Sequence, residues 1–226
     1  MSTTENPEFI LIGDSHAGAI GKAARARGIP FTGGPIASGR AFFEPFCETR
    51  PRLRFLDPEV EEMHQELRRL LGVACLSEAS APVLSTIGSG FHFPAARVLW
   101  EAFLTPGGSL EASVGQSALV AEVLQRMLQP MLGFHEALLK TGLQVCFVLP
   151  PQRIPDSAHE ALFQAVQSQA VAGLEDLGCQ LLDLRTATCD AQGRLRAEFC
   201  QENDPIHANE AWGDELLRAF GATPQI

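Results

Sequence analysis

Residues 9–16 read Phe-Ile-Leu-Ile-Gly-Asp-Ser-His, and this stretch decides the fold. Phe9 to Ile12 is a short apolar run of the kind a buried strand makes, and Gly13 marks a turn at its end. Ala17 to Arg27 follows as a helix, stopped by Gly28. Ile29 to Thr32 predicts a second strand, and Gly33 to Gly39, with three glycines and a proline, predicts a loop.

The same alternation continues along the chain. Asp57-Pro58-Glu59 supplies a capping carboxylate and a proline for the first helical position, so a helix is expected from there to about Leu71, with Gly72 closing it. Pro82 to Ile87 reads as a strand running into Gly88-Ser89-Gly90. Pro94 to Leu104 and Gln116 to Lys140 read as helices, the second bent near Pro130 and Gly133. Leu143 to Leu149 is a strand before Pro150-Pro151, Ser157 to Leu177 a helix, Gln180 to Leu184 a last strand and Ala211 to Phe220 a last helix. Strands alternating with helices build a parallel sheet covered on both faces. The expectation is a three-layer α/β/α fold with a central parallel sheet of about five strands in flavodoxin-like order. No repeat or linker divides the chain, so one domain is expected over residues 1–226.

Composition narrows the partners. A hydrophobic fraction of 46% can build a real core, and a charged fraction of 19% argues against wholesale disorder. A formal net charge of -10 disfavours binding to nucleic acid or to anionic membranes, because like charges repel. Cys47, Cys75, Cys146, Cys179, Cys189 and Cys200 show no regular spacing and read as free thiols in a reducing compartment. The N-terminus lacks a basic region followed by an apolar stretch, and no apolar run approaches a membrane span. A cytoplasmic protein is expected.

Two short segments carry chemistry. In Gly13-Asp14-Ser15-His16, a serine at a strand-to-helix turn stands at the sheet edge, where helix N-terminal amides face any negative oxygen formed beside it. A serine needs a base to become a nucleophile. In Asp204-Pro205-Ile206-His207, a carboxylate three residues before an imidazole can hold the inner ring nitrogen and leave the outer one to accept the serine proton. Each segment taken alone also reads as a plain helix cap. No other histidine or cysteine lies at ligand spacing near His207, so no metal is expected, and the chemistry requires no cofactor.

The order Ser15, Asp204, His207 differs from that of α/β-hydrolases, whose nucleophile sits mid-chain on a GxSxG elbow; no such elbow occurs here. The arrangement resembles the SGNH, or GDSL-type, serine hydrolase superfamily. ILIGDSH (10–16) matches its first block and NDPIHAN (203–209) its last. The GDSH form is similar to SGNH domains that work with polysaccharide O-acyltransferases. The resemblance implies Ser15 as nucleophile, His207 as base and Asp204 as its partner. It also implies oxyanion donors from the amides of Ser15 and Gly39, with Gly33 or Gly34 as rivals to Gly39. The third block is normally Gly-x-Asn, but here it reads Gly88-Ser89-Gly90. The chain holds only Asn6, Asn203 and Asn209, so no mid-chain asparagine replaces it. Ser89, the Gly90 amide and His92 are the candidate substitutes, and His92 reads equally as a wall residue between Phe91 and Phe93. His16, His92, Arg40 and Arg153 are candidate substrate contacts. His64, His135 and His159 fall in helical stretches, as solvent-facing or structural groups. The implied activity is an esterase acting on a small-molecule or carbohydrate ester. The rivals are an acyltransferase with the same three residues and a non-catalytic binding protein that keeps the fold.

Overall fold

Strand β1 (Phe9–Gly13) is buried along its whole length and sorts the layers on either side of it. Successive side chains of a strand point to opposite faces. Phe9 and Leu11 accordingly join one apolar cluster, and Ile10 and Ile12 join the other. The computed structural model describes residues 6–50, 52–101 and 118–222. Within these, β1, β2 (Phe31–Pro35), β3 (Val83–Ser85), β4 (Val145–Val148) and β5 (Gln180–Leu182) form one sheet in the order β2-β1-β3-β4-β5. Every pairing is parallel, with Ile10 opposite Val83, Val83 opposite Val145 and Cys146 opposite Gln180. This is the flavodoxin-like order. Its direction of winding reverses at β1, so the crevice for a ligand opens beyond the carboxyl ends of β1 and β3.

Helices α1 (Ala17–Ala26) and α5 (Glu210–Ala222) cover one face. Their Ile20, Ala23, Trp212 and Leu216 pack on Phe9, Leu11, Leu84 and Val148. Helices α2 (Pro58–Leu71), α3 (Ala118–Leu139) and α4 (Glu160–Asp176) cover the other. A two-stranded ribbon, Cys47–Glu48 with Arg54–Phe55, lies before α2. The start of α2 follows its sequence closely. Asp57 Oδ1 accepts from the Glu59 amide at 2.8 Å and the Val60 amide at 3.3 Å, Pro58 opens the helix, and Gly72 closes it with a positive φ of 70°. Acidic Glu59 and Glu61 stand in the first turn and Arg68 and Arg69 in the last, as the helix dipole favours.

Two elements depart from the sequence expectation. The second strand runs later than Ile29–Thr32, through Gly33 and Gly34 to Pro35. Pairing with β1 overrides the local turn signal, and Gly33 lies opposite Leu11 with φ 102°. A Cβ at Gly33 would run into the Leu11 carbonyl oxygen, so only glycine lets the strand lie this close. Of the helix expected over Pro94–Leu104, the described part is a single turn, Arg97–Trp100. Residues 102–104 and 116–117 of the expected helices lie outside the described residues.

At the crossing of α1 and α5, Gly213 faces the Ala19 carbonyl and the Ala23 methyl of α1. A Cβ there would overlap the Ala19 oxygen, a backbone atom that cannot swing aside. Gly213→Ala gains about 1 kcal/mol of helix propensity, but forcing the helices apart costs roughly 1–3 kcal/mol. Urea unfolding should therefore show a net loss of stability, against the usual direction for glycine-to-alanine in a helix.

Candidate active site

The turn after β1 is fixed by contacts to the end of β3. Thr86 follows β3, and its Oγ1 accepts from the Asp14 amide at 3.1 Å. Its side chain also fills the space a Cβ on Gly13 would need, so the turn sits directly on β3. Asp14 is 1% exposed. Its Oδ1 accepts from the His16 amide at 3.0 Å, and its Oδ2 accepts from the buried Ser89 hydroxyl at 3.2 Å. Ser15, between these two anchored residues, is exposed.

On the loop leading to α5, Asn203 takes a positive φ of 55°, a conformation asparagine tolerates. It turns the chain into Asp204. Asp204 Oδ1 accepts from the amides of Ile206 and His207, both at 2.8 Å, which coils the four residues tightly. Its Oδ2 lies 2.7 Å from His207 Nδ1. His207 Nε2 in turn lies 2.7 Å from Ser15 Oγ, across 192 positions of sequence. Partial burial pushes the Asp204 pKa up. The amides of His207 and Ile206, the His207 ring and its charge together outweigh that and bring it down to about 2. An ionised carboxylate can only accept, so Nδ1 carries the proton and Nε2 is the acceptor facing Ser15.

The surroundings are crowded with imidazole. His16 is 4% exposed, and its ring centre lies 5.4 Å from that of His207. Burial, with the charge of His207, pulls its pKa down to about 3 against a small opposing effect of Asp204. His92 packs on Phe93 with ring centres 4.1 Å apart. Burial first, then the fields of His16 and His207, lowers its pKa to about 4. Both rings are neutral at pH 7. Burial raises the Asp14 carboxyl to about 6, in spite of hydrogen bonds from His16, Thr86 and Ser89 and the attraction of His207.

Gly39 and Gly90 line the floor. A Cβ on Gly39 would lie 2.9 Å from Asp14 Oδ2 and 3.1 Å from the Phe93 ring; one on Gly90 would lie 2.9 Å from Phe93 Cδ2 and 3.5 Å from Gly39 Cα. The two glycines are thus neighbours beneath Phe93. No hydrogen bond to another described residue uses the amides of Ser15, Gly39 or Gly90. Among the described residues, no group of three or more His, Cys, Asp or Glu is arranged to hold a metal ion.

No family model matches the sequence, and no curated protein resembles it closely enough to count as a relative. Solved structures do resemble it in three dimensions. A protein assigned to the G-D-S-L lipolytic family from Desulfitobacterium hafniense superposes with a TM-score of 0.51, over 94% of this chain and 96% of that one, at 10% identity. An acetyl xylan esterase superposes with a TM-score of 0.50, over 95% of this chain and 98% of that one, at 13% identity. The fold is that of the SGNH, or GDSL-type, hydrolases.

Within the SGNH fold, several sequence-level assignments need correction. Arg153 is partly committed through one guanidinium nitrogen, Nη1. Its guanidinium donates to the Gln201 carbonyl at 2.9 Å and the His207 carbonyl at 2.7 Å, tying down the loop that carries Asp204 and His207. His16 is too deeply buried to offer much surface to a ligand and serves as a wall behind His207. Ser89 is committed to Asp14 and is not a spare donor. Gly90 occupies the place of the third-block asparagine, and the Phe93 ring fills the space such a side chain would enter. Arg40, next to Gly39, is exposed. Asp14 was legible only as a cap; its hydrogen bond to Ser89, 75 positions away, left no local signal.

Asp14 gives a pH signature. Its folded pKa lies above the unfolded value of 3.8, so its favourable contribution is full below that and is lost as pH rises through about 6. The shift corresponds to about 3 kcal/mol. Asp14→Asn lacks this loss. Urea unfolding at pH 4 and pH 7 should therefore show the wild type losing about 2 kcal/mol relative to the variant, since pH 4 already lies above the unfolded value. A pH-independent difference would show that Asp14 ionises freely in the folded protein.

Proposed function

We propose that this protein is an SGNH-type serine esterase that cleaves an acyl ester of a small molecule or carbohydrate. One observation carries the reading: Ser15 Oγ, His207 Nε2 and Nδ1, and Asp204 Oδ2 stand in a continuous chain of two 2.7 Å contacts. Ser15 Oγ attacks the ester carbonyl carbon while His207 Nε2 takes its proton. Asp204, ionised throughout, keeps the ring in the required tautomer and stabilises the imidazolium that forms. The protonated ring then gives its proton to the leaving alcohol. Water, activated by the same nitrogen, releases the acid from Ser15 in a mirror of the first step.

The carbonyl oxygen gains charge as Ser15 attacks. The amides of Ser15 and Gly39 receive it, aided by the Gly90 amide and by the neutral His92 ring, which keeps one N–H to donate at pH 7. His92 in this role offsets the missing asparagine. His16, held neutral, adds no positive charge to oppose protonation of His207. An acetyl xylan esterase shares the fold, which supports a carbohydrate or other small ester as the substrate class.

A fluorophosphonate probe should label the wild type at Ser15, and p-nitrophenyl acetate should be hydrolysed. Ser15→Ala and His207→Ala should each abolish turnover, and Asp204→Asn should lower kcat by about 10⁴-fold. Folded wild type that neither reacts with the probe nor turns over any short acyl ester overturns the proposal. His92→Leu should lower kcat by roughly 10²–10³-fold with little change in KM, as loss of an oxyanion donor does. A rise in KM alone would make His92 a wall residue.

A further inference from the structure

A cavity of about 490 Å³ lies away from Ser15, between the two-stranded ribbon, α2 and the last turn of α3. Helix α3 ends just before β4 begins, so this cavity sits near the amino ends of the strands. Ser15 follows the carboxyl end of β1, at the opposite edge of the sheet. Its volume suits a small ligand.

The wall of this cavity is unlike the rest of the molecule in charge. The chain has a formal net charge of -10, yet three guanidiniums, Arg52, Arg54 and Arg68, meet here with a single carboxylate, Glu61. Arg52 and Arg54 make no ion pair among the described residues. Arg68 donates to the Ala74 carbonyl at 2.6 Å and reaches Glu61 only at 3.9 Å. Glu61 is engaged elsewhere: it accepts from the Phe55 amide at 2.9 Å and from Gln65 at 3.0 Å. Arg68 is thus partly balanced by Glu61, and Arg52 and Arg54 carry the unpaired positive charge of the wall.

His64, 2% exposed, stands in the same wall. Its Nδ1 lies 3.4 Å from Glu61 Oε2, and its ring meets Phe55 edge-on. A carboxylate at Nδ1 holds the proton there and leaves Nε2 as an acceptor. That Nε2 is buried and has no partner among the described residues. A buried acceptor without a donor costs on the order of 1–3 kcal/mol, and this one lies behind the wall rather than open to the cavity. Thr49 and Ser77 add hydroxyls to the same wall.

We infer that this cavity binds a small phosphate monoester that also carries a hydroxyl group. The forked guanidiniums of Arg52 and Arg54 grip the phosphate dianion through paired hydrogen bonds, with Arg68 adding charge behind them. The ligand hydroxyl pairs with the Thr49 and Ser77 hydroxyls of the wall. The site is separate from the proposed ester chemistry and stands whether or not that chemistry is confirmed.

Isothermal titration of the full-length protein tests this with glycerol 3-phosphate, inorganic phosphate and citrate as probes. Glycerol 3-phosphate should bind saturably at one site, more tightly than inorganic phosphate, and citrate more weakly than either. Arg52→Gln and Arg54→Gln should each weaken it about tenfold, the scale of a lost charged hydrogen bond. Both side chains are exposed, so the variants should melt like the wild type without the probe. Arg52→Lys with Arg54→Lys keeps the charge and loses the fork, and should also weaken binding. Ser15→Ala should bind as the wild type does. Absence of saturable binding, full binding in the double glutamine variant, or a preference for citrate would each overturn the inference.

Discussion

The hydrogen bond between Ser15 and His207 is the constraint on which the proposed chemistry depends. It joins segments 192 positions apart, and neither end is held by its own neighbours alone. On one side, Thr86 and Ser89 at the end of β3 fix the turn that carries Ser15. On the other, Arg153 spans from the loop after β4 to the carbonyls of Gln201 and His207. Three strand ends therefore share the task of bringing a hydroxyl to an imidazole. The winding order of the sheet makes this possible, because the order in which strands are added reverses at β1 and leaves a crevice beyond the strand ends there.

Electrostatics in this crevice separate groups of the same kind. Asp204 and Asp14 are both near His207, yet one titrates at about 2 and the other at about 6. Asp204 is partly exposed to solvent and collects three donors; Asp14 is sealed in the interior, where burial opposes its charge. The histidines divide in the same way. His16 and His92 are held neutral by their surroundings, while His207 alone has an ionised carboxylate on its inner nitrogen. Differences of this size between like groups are how a protein assigns separate duties to them.

Much of this was legible in the sequence where the signal was local. The apolar run before Gly13, the Asp57-Pro58 helix start and the three-residue spacing of Asp204 to His207 each act over a few residues. What sequence reading missed depended on distant partners. Gly33-Gly34-Pro35 spells a loop by itself and becomes strand only because β1 lies beside it. Arg153 looks like any arginine on an active-face loop until the carbonyls 48 and 54 positions away come within reach. The absence of asparagine at position 90 was visible as a gap, but its cause, the ring of Phe93 lying over that glycine, was not.

The glycine pair of β2 has a consequence for how the sheet ends. An edge strand offers unpaired amides and carbonyls to any extended chain that passes, which is a route to aggregation. Here the outer strand is kinked by left-handed backbone at Gly33 and finishes on Pro35, which has no amide hydrogen. The opposite border, β5, is only three residues long. Both margins are poor templates for a sixth strand, so the residues that let β2 lie against β1 also keep the sheet from recruiting a stranger.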